Sequence, residues 1–114
     1  MCDKSVLDEI TSRVCAAAKE VLGDKLEKVI LFGSYARGDY DEESDIDIMV
    51  IADIALEEAD EIRGKIHNVT GSLLWDYGIL VCLIMTCSDI FHKYKDDTGF
   101  YINVQKDGVL LYAA

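Results

Sequence analysis

Gly33 and Ser34 stand directly after a short apolar run, Lys28-Val29-Ile30-Leu31-Phe32, and Asp45 and Asp47 stand at alternate positions of a second one. Glycine has no Cβ, so Gly33 lets the backbone turn sharply and lets a bulky anion approach. Ser34 adds a hydroxyl and an N–H at the start of a helical turn, Tyr35-Ala36-Arg37, and exposed N–H groups at a helix start favour phosphate. Residues two apart in a strand share a face, which sends the Asp45 and Asp47 carboxylates to one side. Such a pair repels itself unless a cation sits between its members. Magnesium, a hard ion that prefers carboxylate and phosphate oxygens, suits that place. The spacing therefore predicts a phosphate cradle beside a metal site.

Each half alone is ordinary. A Gly-Ser pair after a strand is most often a turn, and an Asp-x-Asp is most often a solvated strand edge. Here both occur together, separated by ten residues that include Gly38 and Ser44, with a strand on either side. Gly33-Ser34-x-x-x-Gly38 followed by Ser44-Asp45-x-Asp47-x-x-Val50 resembles the signature of the DNA polymerase beta-like nucleotidyltransferase superfamily, and the chain length resembles its minimal, standalone, antitoxin-type branch. The resemblance implies an α/β nucleotidyltransferase fold. It implies that Gly33, Ser34, Arg37 and Ser44 bind a nucleoside triphosphate, and that Asp45 and Asp47 are catalytic and ligate Mg2+ or Mn2+. The reaction it implies moves a nucleoside monophosphate, AMP from ATP, onto an acceptor, and its standalone members suggest a protein acceptor, a helical HEPN-type partner.

One part of that pattern is missing. The family carries a third carboxylate in the middle of the third strand, whose neighbourhood here is Leu80-Val81-Cys82-Leu83, with no acid. Spacing places Cys82 at or next to the expected position, and a thiol is a poor magnesium ligand and a poor substitute for a carboxylate base. Asp76 and Asp89 lie nearby in sequence but outside the strand. Two readings follow: a nucleotidyltransferase, or a catalytically weakened module that binds nucleotide or a partner and regulates. A turn and an acidic edge on an unrelated α/β domain would be a third, disfavoured by the number of independent elements that agree.

Composition sets the outer limits. The 114 residues suit one domain, residues 1–114, too short to add a full acceptor-binding domain. A net charge of −11 opposes nonspecific binding to DNA, which depends on Lys and Arg displacing counterions. Part of that charge is in the motif, where Asp39, Asp41, Glu42, Glu43, Asp45 and Asp47 crowd nine positions. Cys2, Cys15, Cys82 and Cys87 show no paired metal-ligand spacing and read as reduced thiols. His67 and His92 read as lone residues on helix surfaces. No signal sequence is visible and no apolar run reaches membrane-spanning length, so a cytoplasmic, non-membrane location is expected. With 51% hydrophobic residues the surface is expected to carry a sticky face for a partner, self-association being left open.

The order of elements supports the motif. Val6, Leu7, Ile10, Val14, Ala17, Val21 and Leu22 recur at helical spacing over about residues 5–22. Strands are expected at about 28–32, 45–51 and 79–85, and a small terminal one at 109–112. Leu56, Ala59, Ile62, Ile66, Val69 and Leu73 mark a second long helix. Ser88 is expected to cap a helix from Asp89, and Phe100, Tyr101 and Val104 belong to another. The pattern is α/β, a small mixed sheet with helices packed against it.

Overall fold

The computed structural model describes residues 4–41, 44–71 and 77–114. Cys2, Glu42, Glu43, Leu73 and Asp76, all used above, lie outside these residues. Four strands, β1 (Leu26–Phe32), β2 (Ile46–Ala52), β3 (Val81–Cys87) and β4 (Val109–Ala113), form one sheet in the order β3-β2-β1-β4. The β1–β2 and β1–β4 pairs are antiparallel and β2–β3 is parallel. Among the described residues the α-helices are α1 (Lys4–Leu22), α2 (Ser34–Arg37), α3 (Ala59–Thr70), α4 (Ser88–Tyr94) and α5 (Gly99–Asp107). This is the mixed α/β sheet expected from the pattern.

Strand alternation sorts the core into two layers. Val29 and Leu31 of β1 join Ile46, Ile48 and Val50 of β2 on one face, where α1 supplies Ile10, Val14, Ala17 and Ala18 and α3 supplies Ile66. Ile30 of β1 and Met49 and Ile51 of β2 point the other way, onto Phe91 of α4 and Val104 of α5. A central strand covered on both faces must be apolar nearly throughout, and β2 is buried at every position except Asp47. By the same alternation Asp47 belongs to the face of Met49 and Ile51. Its carboxylate therefore opens toward the α4–α5 side.

Several expectations need adjustment. β3 runs two residues later than the apolar stretch suggested, because pairing with β2 begins at Val81 opposite Ile46 and continues to Cys87 opposite Ala52. Leu56 lies in a separate 3-10 turn, Leu56–Glu58, ahead of α3, out of phase with its apolar stripe, and is exposed. Val69 is exposed too, leaving Ile62 and Ile66 to meet the core. Ser88 does not cap α4: Cys87 is the N-cap residue, and the Ser88 Oγ is buried and has no hydrogen-bond partner among the described residues. The effective cap belongs to α5, where the Thr98 hydroxyl accepts from the Tyr101 N–H at 3.2 Å. His92 is not alone, since its Nε2 lies 2.8 Å from Glu27 Oε2 and ties α4 to β1. No helix among the described residues is long and apolar enough to cross a membrane.

Ile48 sits fully buried at the centre of the strand that carries Asp47. Ile48→Ala removes side-chain volume that α1 and α3 cannot easily refill, and is expected to lower stability by about 2–5 kcal/mol in urea unfolding. A loss below about 1 kcal/mol would contradict the two-sided packing of β2.

Candidate functional site

The site is built where β1 ends and β2 begins. β1 passes into α2 through Gly33, whose backbone angles, φ 76° and ψ −156°, are disfavoured for any residue with a side chain. A Cβ at Gly33 would run into the Asp47 carboxylate. Glycine is thus required both by the turn and by the acid beside it. The Gly33 carbonyl accepts from the N–H groups of Ala36 and Arg37 at 3.1 Å each, closing a one-turn helix that Gly38, in the left-handed region at φ 87°, brings to an end.

Described residues on the way to β2 are held by local contacts. Tyr40 stacks on buried Tyr35 with ring centroids 4.3 Å apart and planes 10° from parallel. Ser44 Oγ accepts from the Asp41 N–H at 2.9 Å and lies 3.2 Å from Asp41 Oδ1. Ser44, expected among the nucleotide contacts, is therefore engaged in holding the loop, and it lies outside the cleft lining described below.

Asp47 pairs across β1 with Phe32 and across β3 with Cys82. Asp45 immediately precedes β2 rather than lying within it. It still reaches the same cluster, because the Cys82 Sγ donates to Asp45 Oδ2 at 3.8 Å. The register thus places Cys82 beside both acids, in the neighbourhood the sequence assigned to it. Asp89 lies apart on α4, outside β3.

Charge and burial act together here. Burial pushes the Asp47 carboxyl above its ordinary range, and the Asp45 charge pushes it the same way, while Arg37 partly offsets both. Arg37 also holds Asp39, Nε to Oδ2, at 3.2 Å. Burial raises the Cys82 thiol as well, reinforced by the charges of Asp45 and Asp47 and by its hydrogen bond to Asp45. It is a neutral group at physiological pH, held against two carboxylates.

A cleft of about 410 Å³ opens beside this cluster. Gly33, Ser34, Arg37 and Asp47 line one side. The other side comes from α5, through Phe100, Asn103 and Asp107. These three were not singled out from the sequence, although their i, i+3, i+7 spacing marks one helical face. The donors present suit a hard cation: Asp45 and Asp47 offer carboxylate oxygens, and Mg2+ is commonly held by one or two carboxylates plus substrate phosphates. Among the described residues no cluster of three or more His, Cys, Asp or Glu forms a complete protein cage for a metal. Two carboxylates suit an ion that draws its remaining ligands from elsewhere, and the Cys82 thiol adds no hard ligand.

Residues 13–111 match the family model of the nucleotidyltransferase domain. The chain belongs to this family. Two relatives from Methanocaldococcus jannaschii, each bearing the name "Putative protein adenylyltransferase", resemble this nucleotidyltransferase domain at 38% identity over 84% of it and 88% of the relative, and at 40% over 78% and 82%. A toxin-antitoxin structure with AMP-PNP superposes with a TM-score of 0.57 at 21% identity, covering 91% of this chain and 73% of that one. A mutant of the toxin-antitoxin MntA-HpeT gives 0.56 at 20% identity over 91% and 73%. The likeness of these structures establishes a shared fold.

Two outcomes follow from this geometry. Gly33→Ala combines a positive φ with a collision at Asp47 and is expected to cost about 1–3 kcal/mol in urea unfolding; unchanged stability would mean that the turn relaxes freely. Because the folded-state pKa of Asp47 is raised, its ionisation disfavours the folded chain above its ordinary range, and that penalty fades as pH falls and both states become protonated. Asp47→Asn should accordingly raise the melting temperature of the metal-free protein at pH 7, with the gain shrinking in acid. A gain that persists at pH 3 would contradict a charge origin.

Proposed function

We propose that this domain transfers AMP from ATP to a hydroxyl of a partner protein. The observation that carries the proposal is the placement of Asp45 and Asp47 beside the Gly33 turn at the edge of a cleft. In this reading Gly33 and Ser34 cradle the triphosphate, the Arg37 guanidinium supplies positive charge along it, and Asp45 and Asp47 would hold Mg2+ or Mn2+. Ser44 contributes by fixing the loop that delivers Asp45. When bound, the ion neutralises charge between the carboxylates and the polyphosphate.

The acceptor oxygen attacks the α-phosphorus, the bond from that phosphorus to the bridging oxygen of the β-phosphate breaks, and pyrophosphate leaves as the hydroxyl proton is lost. Such transfers depend on positioning and charge neutralisation more than on covalent chemistry by the protein. The names of the relatives support a protein acceptor, and the AMP-PNP of the structural neighbour supports an adenine nucleotide. That neighbour is a toxin-antitoxin, which supports a protein partner here, and the helical HEPN type of that partner rests on the family resemblance alone. The charge of −11 argues against a nucleic-acid template.

Cys82 favours a second reading. The proton of the acceptor must go to a base, and a neutral thiol beside two carboxylates is a poor one. A domain that binds nucleotide and a partner but turns over slowly, as a regulatory module, is consistent with that arrangement.

Label from α-phosphate-labelled ATP is expected to move to a co-purified partner in the presence of Mg2+, and to stop moving in the Asp45→Asn, Asp47→Asn double variant. If no label moves while MgATP still raises the melting temperature, the regulatory reading replaces the enzymatic one. Cys82→Asp supplies the missing oxygen ligand, and should raise Mg2+ affinity together with the transfer rate, the latter by about 100-fold if a general base is restored. An unchanged Mg2+ affinity would show that Cys82 is not the third position.

A further inference from the structure

The roles assigned above leave one wall of the cleft without a task. Phe100, Asn103 and Asp107 bring to it an aromatic ring, an amide and a carboxylate from one face of α5. Phe100 is 46% exposed, unusual for a ring of its size. Phe32 braces it edge-on, with centroids 5.7 Å apart and planes at 85°, so the ring is supported without being covered. Phe32 in turn pairs with Asp47 across the β1–β2 ladder. Phe32 thus links the wall to the acid pair.

The chemistry of this wall differs from that of the Gly33 turn opposite. A carboxylate repels phosphate, so Asp107 disfavours α5 as a seat for the polyphosphate and suits it to neutral hydroxyls. Aromatic rings stack on nucleobases whatever their sequence context. An amide can both donate to and accept from the edge of adenine, and a carboxylate accepts from ribose hydroxyls. Among the described residues, the opposite flank of the acid pair carries Cys82 and the exposed Leu80, leading into edge strand β3.

We propose that α5 is the nucleoside wall of the site: Phe100 stacks on the base, Asn103 pairs with its edge and Asp107 accepts from the ribose hydroxyls. The β3 flank of the acid pair is then left for the acceptor. This rests on the nucleotide reading above and adds which surface of the chain recognises the nucleoside.

The test compares ATP with inorganic tripolyphosphate, which keeps the phosphates and lacks the nucleoside. Each is titrated into the full chain with Mg2+, for the wild type and for the Phe100→Ala and Asn103→Leu variants, both at exposed positions. Phe100→Ala is expected to weaken ATP about tenfold and leave tripolyphosphate binding unchanged. Asn103→Leu should weaken ATP in the same selective manner, and it carries the test if the first variant does not fold. ATP affinity unaltered in both variants, or equal weakening of both ligands, overturns the assignment of α5 while the phosphate site stands. Failure of both ligands to bind the wild type removes the nucleotide reading and this one with it.

Discussion

The repulsion between the carboxylates of Asp45 and Asp47 is the constraint on which the rest of the site depends. β2 is otherwise apolar and buried on both faces, and an acid in such a strand raises the free energy of the folded chain unless its charge is met. Burial and Asp45 both push the Asp47 carboxyl up, and Arg37 relieves only part of that. The apolar layers around Ile48 and Met49 hold the strand in place regardless. Core packing thus sustains a charge arrangement that would not persist by itself, as at many sites where stability is given up locally for function.

The same constraint explains the neighbouring residues. Gly33 must be glycine because the Asp47 carboxylate occupies the space a Cβ would fill. Between α2 and β2, Tyr40 stacks on Tyr35 and Ser44 Oγ accepts from the Asp41 N–H, next to Asp45. Cys82 approaches from the other flank, where its thiol donates to Asp45 and remains protonated. A neutral neighbour adds no further repulsion to the pair. It also supplies neither a hard ligand nor a ready base, which under the proposed function bears on turnover more than on nucleotide binding.

What was legible in the sequence is what depends on short range. Gly33-Ser34, the Asp-x-Asp alternation and the apolar runs of β1 and β2 are local signals, and the structure brings them together at one place. Cys82 could be located from the apolar run around it, but it does not lie mid-strand as expected: it is the second residue of β3, the parallel register with β2 sets it opposite Asp47, and the middle of the strand, Ile84, faces Met49. The α5 wall was hidden for the opposite reason. Phe100, Asn103 and Asp107 share a helical face in any helix over that segment, but only the packing of α5 on β1 turns the face toward Gly33. The His92–Glu27 pair joins residues 65 apart in the chain, beyond any local pattern. The cap of α4 failed as an expectation because Ser88, a good capping residue by type, is drawn into the interior and Cys87 takes the position.

If the acid pair is a half-site completed by a cation and a polyphosphate, nucleotide binding must depend on the divalent ion. Calorimetric titration of ATP into the protein, once with Mg2+ and once with a chelator, tests this directly. The account predicts measurable binding with Mg2+ and at least about tenfold weaker binding without it, because two uncompensated carboxylates then face the phosphates. Equal affinity under the two conditions would contradict it.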